Sequence, residues 1–279
     1  MPELPEVETI KEALKKSIEG DKIESVIIRN RRFRELIPMD FEKVVLNASI
    51  VKVYRNAKYL ILELDNNYSI IWHLGMSGKV KIHESSPESY EKHDHVTIKT
   101  NNGYITYNDA RRFGLITYCE SDKICQHKLF ANIGIDPFSQ NLTADYLKNK
   151  LSNQKNPIQV ALLDQSIING IGNIYASEAL YDSKISPLRE SNSLNLVELE
   201  NLITSVRKIL QKAIKAGGST LKDYRKPDGS MGYFQNSHCV YDKEGMRCPN
   251  CTCDIDKTKG IKRIVQAGRS TFYCETQQK

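Results

Sequence analysis

Met1 precedes Pro2, a small residue, so removal of Met1 is expected and leaves Pro2 as a free secondary amine. An α-amino group titrates near pH ~8, so a useful fraction is neutral at pH 7, and a helix starting close behind lowers that value further. A secondary amine attacking an aldehyde carbon gives an iminium that is charged without a proton. Such an electron sink facilitates elimination from the neighbouring carbon. Glu3 and Glu6 lie beside it as a proton donor and a structural acid. Residue type alone is thin evidence, since many chains begin Met-Pro without using the proline. Lys58, in Arg55-Asn56-Ala57-Lys58-Tyr59-Leu60, stands between two β-rich runs. From there it could protonate a leaving group or hold a phosphate; the plain reading is a surface lysine.

Three further groups point to a polyanion. Met76 and Phe113 are each flanked by glycines, and Arg111-Arg112 adjoin Phe113. An apolar wedge beside arginines is what a protein needs to open a base stack and fill the gap; core filling is the alternative. In Asn169-Gly170-Ile171-Gly172-Asn173, two glycines open a helix whose bare amides would attract a phosphate. Cys248-Pro249-Asn250-Cys251 and Cys274 supply three ligands of a Cys₄ zinc ribbon, and Arg269 lies just before Cys274 at a hairpin tip. A second CxxC would end at 277, which is Gln277; Cys253, Cys239 or His238 could substitute, or the finger binds no metal. His93 and His95, two apart in a strand without a clear third ligand, are a poor metal pair.

These residues need elements to place them. Val7, Ile10, Leu14 and Ile18 recur at helical spacing, so residues 5–19 read as a helix with Pro5 in its first turn. Short β-rich runs follow: Ile23–Ile28, Val44–Val53, Tyr59–Leu64, Tyr68–Leu74, Val80–His83, His95–Thr100, Tyr104–Asn108 and Leu115–Tyr118. This spacing argues a β-sandwich or barrel. Beyond Cys119 the texture turns helical over 142–151, 157–167, 173–183 and 195–216, and a short cysteine-bearing tail begins near His238. The fold class is therefore α+β.

The 279 residues carry 40 Lys and Arg against 34 Asp and Glu, a net charge of +6, with 40% apolar residues. That is a folded chain of one large or two ordinary domains. From Lys222 onward eleven Lys and Arg face seven Asp and Glu, so the tail holds +4 of the excess. Arg29-Asn30-Arg31-Arg32-Phe33-Arg34 is a second basic knot. No apolar run approaches the ~20 residues of a membrane helix, and the acidic N-terminus does not read as a signal peptide. Seven cysteines, four of them crowded at the C-terminus, favour a reducing cytoplasm and a metal site over a disulfide framework.

Taken in order, MPELPEVET, Asn56-Ala57-Lys58-Tyr59-Leu60, His73-Leu74-Gly75-Met76-Ser77-Gly78, Lys92-His93-Asp94-His95, Arg111-Arg112-Phe113-Gly114, Asn169 to Glu178, Ala216-Gly217-Gly218 and Gly268 to Cys274 resemble the formamidopyrimidine-DNA glycosylases, bacterial repair enzymes for oxidised purines. Leu4 favours this branch over the sister endonuclease VIII branch, which usually opens MPEGPE. The resemblance implies an N-terminal helix with a two-layer β-sandwich (catalytic domain, 1–134), a helix–two-turn–helix DNA-binding domain (135–225) and a zinc finger (238–278), with DNA in the cleft between. It implies a bifunctional glycosylase and AP lyase acting on 8-oxoguanine and formamidopyrimidines in damaged double-stranded DNA. The rivals are a same-fold enzyme for oxidised pyrimidines and a decayed damage reader.

Carried over by the same resemblance, Pro2 is the Schiff-base nucleophile and Glu3 the proton donor for base loss and sugar opening. Lys58 is the proton donor for β-elimination and a phosphate contact. Arg269 contacts a phosphate and serves δ-elimination. Glu6 and Glu178 shape the site. His73, His93, Lys155 and Asn173 contact DNA, while Met76, Arg111 and Phe113 fill the hole left by the flipped nucleotide. The loop from Gly217 to Tyr224 covers the extruded base. One structural zinc, a monomer and a bacterial cytoplasmic protein associated with the nucleoid through DNA are also implied. Two positions depart from the pattern: Gln277 replaces the expected fourth zinc cysteine, and Gln159 replaces a lysine that many relatives carry near the lesion.

Overall fold

The computed structural model describes residues 2–221, 224–249 and 251–279. Met1, Lys222 and Asp223 of the loop expected to cover a base, and Asn250 of the first CxxC lie outside the described residues. The chain divides into two compact units, one built from Met1–Ala131 with Ile214–Gln235, the other from Asn132–Ala213 with Asn236–Lys279.

The first unit opens on helix α1 (Leu4–Ile18), with Pro5 in its first turn and Val7, Ile10, Leu14 and Ile18 buried along one face. Then come β1 (Ile23–Ile28), a short helix α2 (Phe41–Val45), β2 (Ile50–Asn56), β3 (Tyr59–Leu64), β4 (Tyr68–His73), β5 (Lys79–His83), β6 (Asp94–Thr100), β7 (Gly103–Asn108) and β8 (Leu115–Glu120). They form two four-stranded sheets, in the orders β2-β3-β4-β8 and β1-β6-β7-β5, antiparallel throughout. Leu60, Leu62, Ile70 and Trp72 of one sheet join Val80, Val96, Ile98, Ile105 and Tyr107 of the other in one apolar cluster with the buried face of α1. This is a two-layer sandwich closed by a helix, and Trp72 meets Tyr107 edge-on at 5.1 Å.

The expected strand over Val44–Val53 needs correction. Its first residues finish α2, which starts behind Pro38-Met39-Asp40, and Asn47 then takes a left-handed φ of 64° before β2 begins. A β-branched pair had the composition of a strand but lies in a helix.

The second unit carries α3 (Ala144–Leu151), α4 (Ile158–Leu162), α5 (Asn173–Asp182) and most of α6 (Leu196–Lys215). The Thr143 hydroxyl caps α3 by accepting from the Tyr146 amide at 3.1 Å. Arg207 of α6 donates to the carbonyls of Pro137, Ser139 and Leu142, pinning the entry segment to the helix. The expected helix 157–167 is one turn and a half only. Asp164 Oδ1 accepts from the Ser166 amide at 2.9 Å and so folds the chain into a turn, because a short carboxylate competes with helical hydrogen bonding. The C-terminal piece is a short helix α7 (Ile255–Thr258) and a hairpin of β9 (Lys262–Gln266) and β10 (Arg269–Tyr273). No helix is long and apolar enough to cross a membrane among the described residues.

Candidate active site and nucleic-acid interface

Pro2 is buried immediately before α1. Its neighbour Glu3 is the N-cap, 3% exposed, and its amide donates to Glu6 Oε2 at 2.8 Å in a reciprocal capping box. Glu6, 1% exposed, also accepts from the Ser219 amide at 2.7 Å. Gly218 has φ +80°, and a Cβ there would lie 2.8 Å from Glu6 Oε1, so only glycine admits this approach. Pro2, Glu3 and Glu6 are thus brought together where the helix dipole adds positive potential.

Lys58 sits in the two-residue turn between β2 and β3, next to Ala57 with a left-handed φ of 54°. The Arg55 guanidinium holds that turn through the Ala57 carbonyl at 2.9 Å, while its Nε bonds Glu8 at 2.8 Å. Opposite Tyr59 stands His73, with ring centroids 4.7 Å apart. Burial, helped by the charges of Arg34 and Lys58, drives the His73 pKa down to about 3. Its Nδ1 accepts from the Gly75 amide at 3.0 Å, so the neutral ring carries its proton on Nε2 and presents a donor.

Met76 and Phe113 are 37% and 48% exposed, which sets aside core filling. The Arg111 guanidinium lies 4.7 Å from the Phe113 ring centroid. Arg32, Phe33, Arg34, Arg111, Arg112 and Phe113 line an open groove of ≈ 440 Å³. The basic knot is divided in its use: Arg29 stacks on Tyr90 and Arg31 pairs with Glu42, while Arg32 and Arg34 are exposed at the groove. His93 is half-buried, 6.0 Å from His95 ring to ring.

In the second unit, Lys155 is exposed in the loop before α4. Asn173 opens α5 behind Gly172, and its Nδ2 donates to the Ser270 carbonyl at 2.7 Å, next to the exposed Arg269. Arg269 begins β10 directly after the Ala267-Gly268 turn, paired with Gln266. Gln159 is fully buried; its Nε2 donates to Asn173 Oδ1 at 3.1 Å and to the Ser177 hydroxyl at 3.3 Å. Glu178 accepts the amides of Cys239, Val240 and Tyr241 at 2.7, 2.9 and 2.8 Å. Burial raises its pKa against the lowering pull of those amides. It therefore anchors the segment leading to the finger.

The sulfurs of Cys248, Cys251, Cys253 and Cys274 all lie within 4.8 Å of one another. Cys248 to Cys274 measures 3.2 Å, and Cys248 to Cys253 and Cys251 to Cys274 are 3.7 Å each. A tetrahedral zinc with Zn–S near ~2.3 Å separates its sulfurs by about 3.8 Å, whereas a disulfide needs ~2.05 Å. The four thiols therefore fit a structural zinc. The doubt attached to Gln277 is corrected: Cys253, two residues past the first CxxC, completes the cluster. Cys239 and His238 are outside it; the Cys239 amide is on Glu178, and the His238 ring packs on Tyr241 at 5.6 Å.

Sequence reading gave no role to Asp109 or Ser77. Asp109 is fully buried and accepts from Ser77, Arg111 and Gly114, in the loops that carry Met76 and Phe113. An acid two residues before Arg-Arg-Phe-Gly, just past a strand end, was the available signal.

Comparison with known proteins agrees with this geometry. Residues 1–116 match the formamidopyrimidine-DNA glycosylase N-terminal domain and residues 133–225 the H2TH domain of the same enzymes. Over its whole length the chain is 41% identical to the formamidopyrimidine-DNA glycosylase of Rhodospirillum rubrum, covering 100% of both chains. It is 44% identical to that of Zymomonas mobilis, again with 100% of each covered. Among solved structures, a Lactococcus lactis mutant enzyme with Fapy-dG-containing DNA superposes with a TM-score of 0.89 at 35% identity, covering 99% of each chain. The same enzyme with abasic-site DNA gives the same values. The chain belongs to the formamidopyrimidine-DNA glycosylase family.

Proposed function

We propose that this chain is a bifunctional DNA glycosylase and AP lyase that removes oxidised purines from damaged double-stranded DNA in base-excision repair. The observation that carries the reading is Pro2 set before a capped helix, flanked by the buried carboxylates of Glu3 and Glu6. The free Pro2 nitrogen attacks C1′ of the damaged nucleoside. The C1′–base bond breaks with its electron pair going to the base, and Glu3 supplies the proton for base loss and sugar opening. The resulting iminium acidifies the C2′ hydrogen. Loss of that proton expels the 3′ phosphate, with Lys58 as proton donor, and a second elimination, served by Arg269, expels the 5′ phosphate. Hydrolysis of the iminium releases the sugar fragment as an aldehyde and returns the Pro2 amine.

The duplex is held by phosphate contacts from His73, Asn173 and Arg269 and by His93, Arg111 and Lys155, so affinity falls with salt. His73 contributes as a neutral donor. Met76, Arg111 and Phe113 replace the extruded nucleotide in the stack. Residues 1–134, 135–225 and 238–278 serve as catalytic, DNA-binding and finger domains. Cys248, Cys251, Cys253 and Cys274 would hold one zinc, which stiffens the hairpin that presents Arg269. Glu6 and Glu178 are shaping acids, the first for the nucleophile's helix and the second for the finger's root. We read the enzyme as a monomer of the bacterial cytoplasm.

Borohydride reduction with abasic duplex should trap one covalent adduct per chain, and acetylating the Pro2 nitrogen should abolish it. An untrapped mature protein would overturn the reading. A damage reader that has lost catalysis is disfavoured, because Pro2, Glu3 and Lys58 are all present. The Lactococcus lactis enzyme is also seen with oxidised-pyrimidine DNA. A lesion panel should rank 8-oxoguanine and formamidopyrimidine duplexes above thymine glycol here.

A further inference from the structure

Asp109 has no exposed surface, yet its four side-chain partners are all N–H and O–H donors. Oδ1 accepts from the Ser77 hydroxyl at 2.5 Å and the Arg111 amide at 3.3 Å. Oδ2 accepts from the Gly114 amide at 2.9 Å and the Tyr107 hydroxyl at 3.2 Å. A buried carboxylate is tolerated only when so satisfied, and charge-assisted bonds of this kind are the strong ones. The partners are not scattered. Arg111 and Gly114 bracket the tip Arg111-Arg112-Phe113, so one carboxylate straps both ends of that loop. Ser77 follows Met76 directly, so the same carboxylate holds the other loop. The Ser77 hydroxyl also receives the Arg111 amide at 3.1 Å, and the Arg112 amide donates to the Asp109 carbonyl at 3.3 Å. Arg112 takes a left-handed φ of 56° within this frame. A Cβ on Gly75 would collide with the backbone of Phe113 and Gly114, so the loops pack backbone to backbone.

We propose that Asp109 is a positioning residue whose carboxylate fixes the Met76 loop and the Arg111–Gly114 loop as one rigid wedge. This rests on the hole-filling role given above to Met76, Arg111 and Phe113. A rigid wedge enters a base stack without first having to be ordered, so the cost of ordering is met during folding. Asp109 touches neither the sugar nor Pro2 in this scheme. Its loss should slow extrusion and leave the Schiff-base chemistry in place.

The test compares two substrates. The first is an 8-oxoguanine duplex under single-turnover conditions, with 2-aminopurine beside the lesion to report stack opening. The second is a single-stranded abasic oligonucleotide, where no base need be displaced, read by borohydride trapping. Asp109→Ala is expected to slow excision from the lesion duplex about 10–100-fold, as misplacing a positioning group by ~1 Å does, and to stay within about 3-fold on the abasic strand. Asp109→Asn keeps the shape and one acceptor and should recover part of the loss. Adding Met76→Ala to Asp109→Ala should cost less than it does alone, because both act through the same wedge. Equal loss on both substrates, or an undiminished duplex rate with normal 2-aminopurine brightening, would overturn the proposal. If circular dichroism shows Asp109→Ala unfolded, Ser77→Ala and Asp109→Asn carry the same comparison. Failure of the unaltered protein to trap abasic DNA is a separate result, and it sinks the enzymatic reading itself.

Discussion

Replacing Cys253 by alanine should release the metal from the finger. Structural zinc in finger peptides binds with about 10–16 kcal/mol. Shared over four sulfurs, that is about 2.5–4 kcal/mol per ligand, or roughly a 10²–10³-fold loss of affinity, with water softening the lower bound. The apolar cluster around the site is small, with Val240, Ile261 and Phe272 its principal members beside the cysteines. Cys248, Cys253 and Cys274 are three of the seven buried residues of that cluster, so the metal ties together much of it. Competition against a chromophoric chelator reads the affinity directly. The unaltered protein should carry one zinc per chain and yield it only at high chelator, while Cys253→Ala yields it at a concentration lower by two orders of magnitude. Cys239→Ala and Gln277→Ala should match the unaltered protein. Retention of zinc by Cys253→Ala at full affinity, or its loss from Cys239→Ala, would refute the ligand assignment.

The remaining expectations concern the capped helix, the neutral histidine and the finger's root. Gly218→Ala forces a Cβ to 2.8 Å from Glu6 at a left-handed φ. It should cost about 1–2 kcal/mol in a denaturant melt and slow trapping at Pro2; unchanged melting would show the contact is not tight. His73, lowered to about 3 in the fold from 6.5 when unfolded, contributes stability that is complete above pH 6.5 and is lost as pH falls toward 3. The unaltered protein should therefore lose about 2 kcal/mol more than His73→Asn between pH 7 and pH 5. Equal losses, or a His73 ring that titrates near pH 6.5 by NMR, would contradict this. Glu178→Gln leaves three amides facing a side chain with one oxygen, and should cost about 1–3 kcal/mol, read as earlier proteolysis between 236 and 247. Unaltered protease resistance would count against that anchor.

Much of this was legible in the residues. The 3.6-residue spacing of Val7, Ile10, Leu14 and Ile18 gave α1, because one buried face dictates it. The alternating apolar runs gave the sandwich. What failed did so where side chains compete with the backbone. Asp164 turns the chain after α4 by accepting from both the amide and the hydroxyl of Ser166. Composition could not separate α2 from a strand, since both bury Val45. The cysteine spacing suggested a ribbon, but the fourth ligand required three-dimensional closeness, because CxxCxC has no partner pattern in the expected motif. Gln159 looked like a lost charge. In the fold it is a buried donor to Asn173 and Ser177, a role that no residue count reveals. Asp109 was visible as a letter, but its four donors come from one strand and two loops.

The division of the chain into units has a consequence for how the molecule is made. The polypeptide leaves the first unit after Ala131, returns at Ile214 and leaves again after Gln235. The Glu6 carboxylate thus waits for an amide 213 residues further along. At about 5–20 residues per second, a ribosome delivers that partner some 10–40 s after Glu6 has emerged. During that interval the sandwich strands are already present, while Glu6 of the α1 capping box lacks its Ser219 partner. A nascent chain would therefore acquire its sheets early and the final surroundings of the α1 N-terminus late. For the same reason a single proteolytic cut cannot separate the two units: three connections join them.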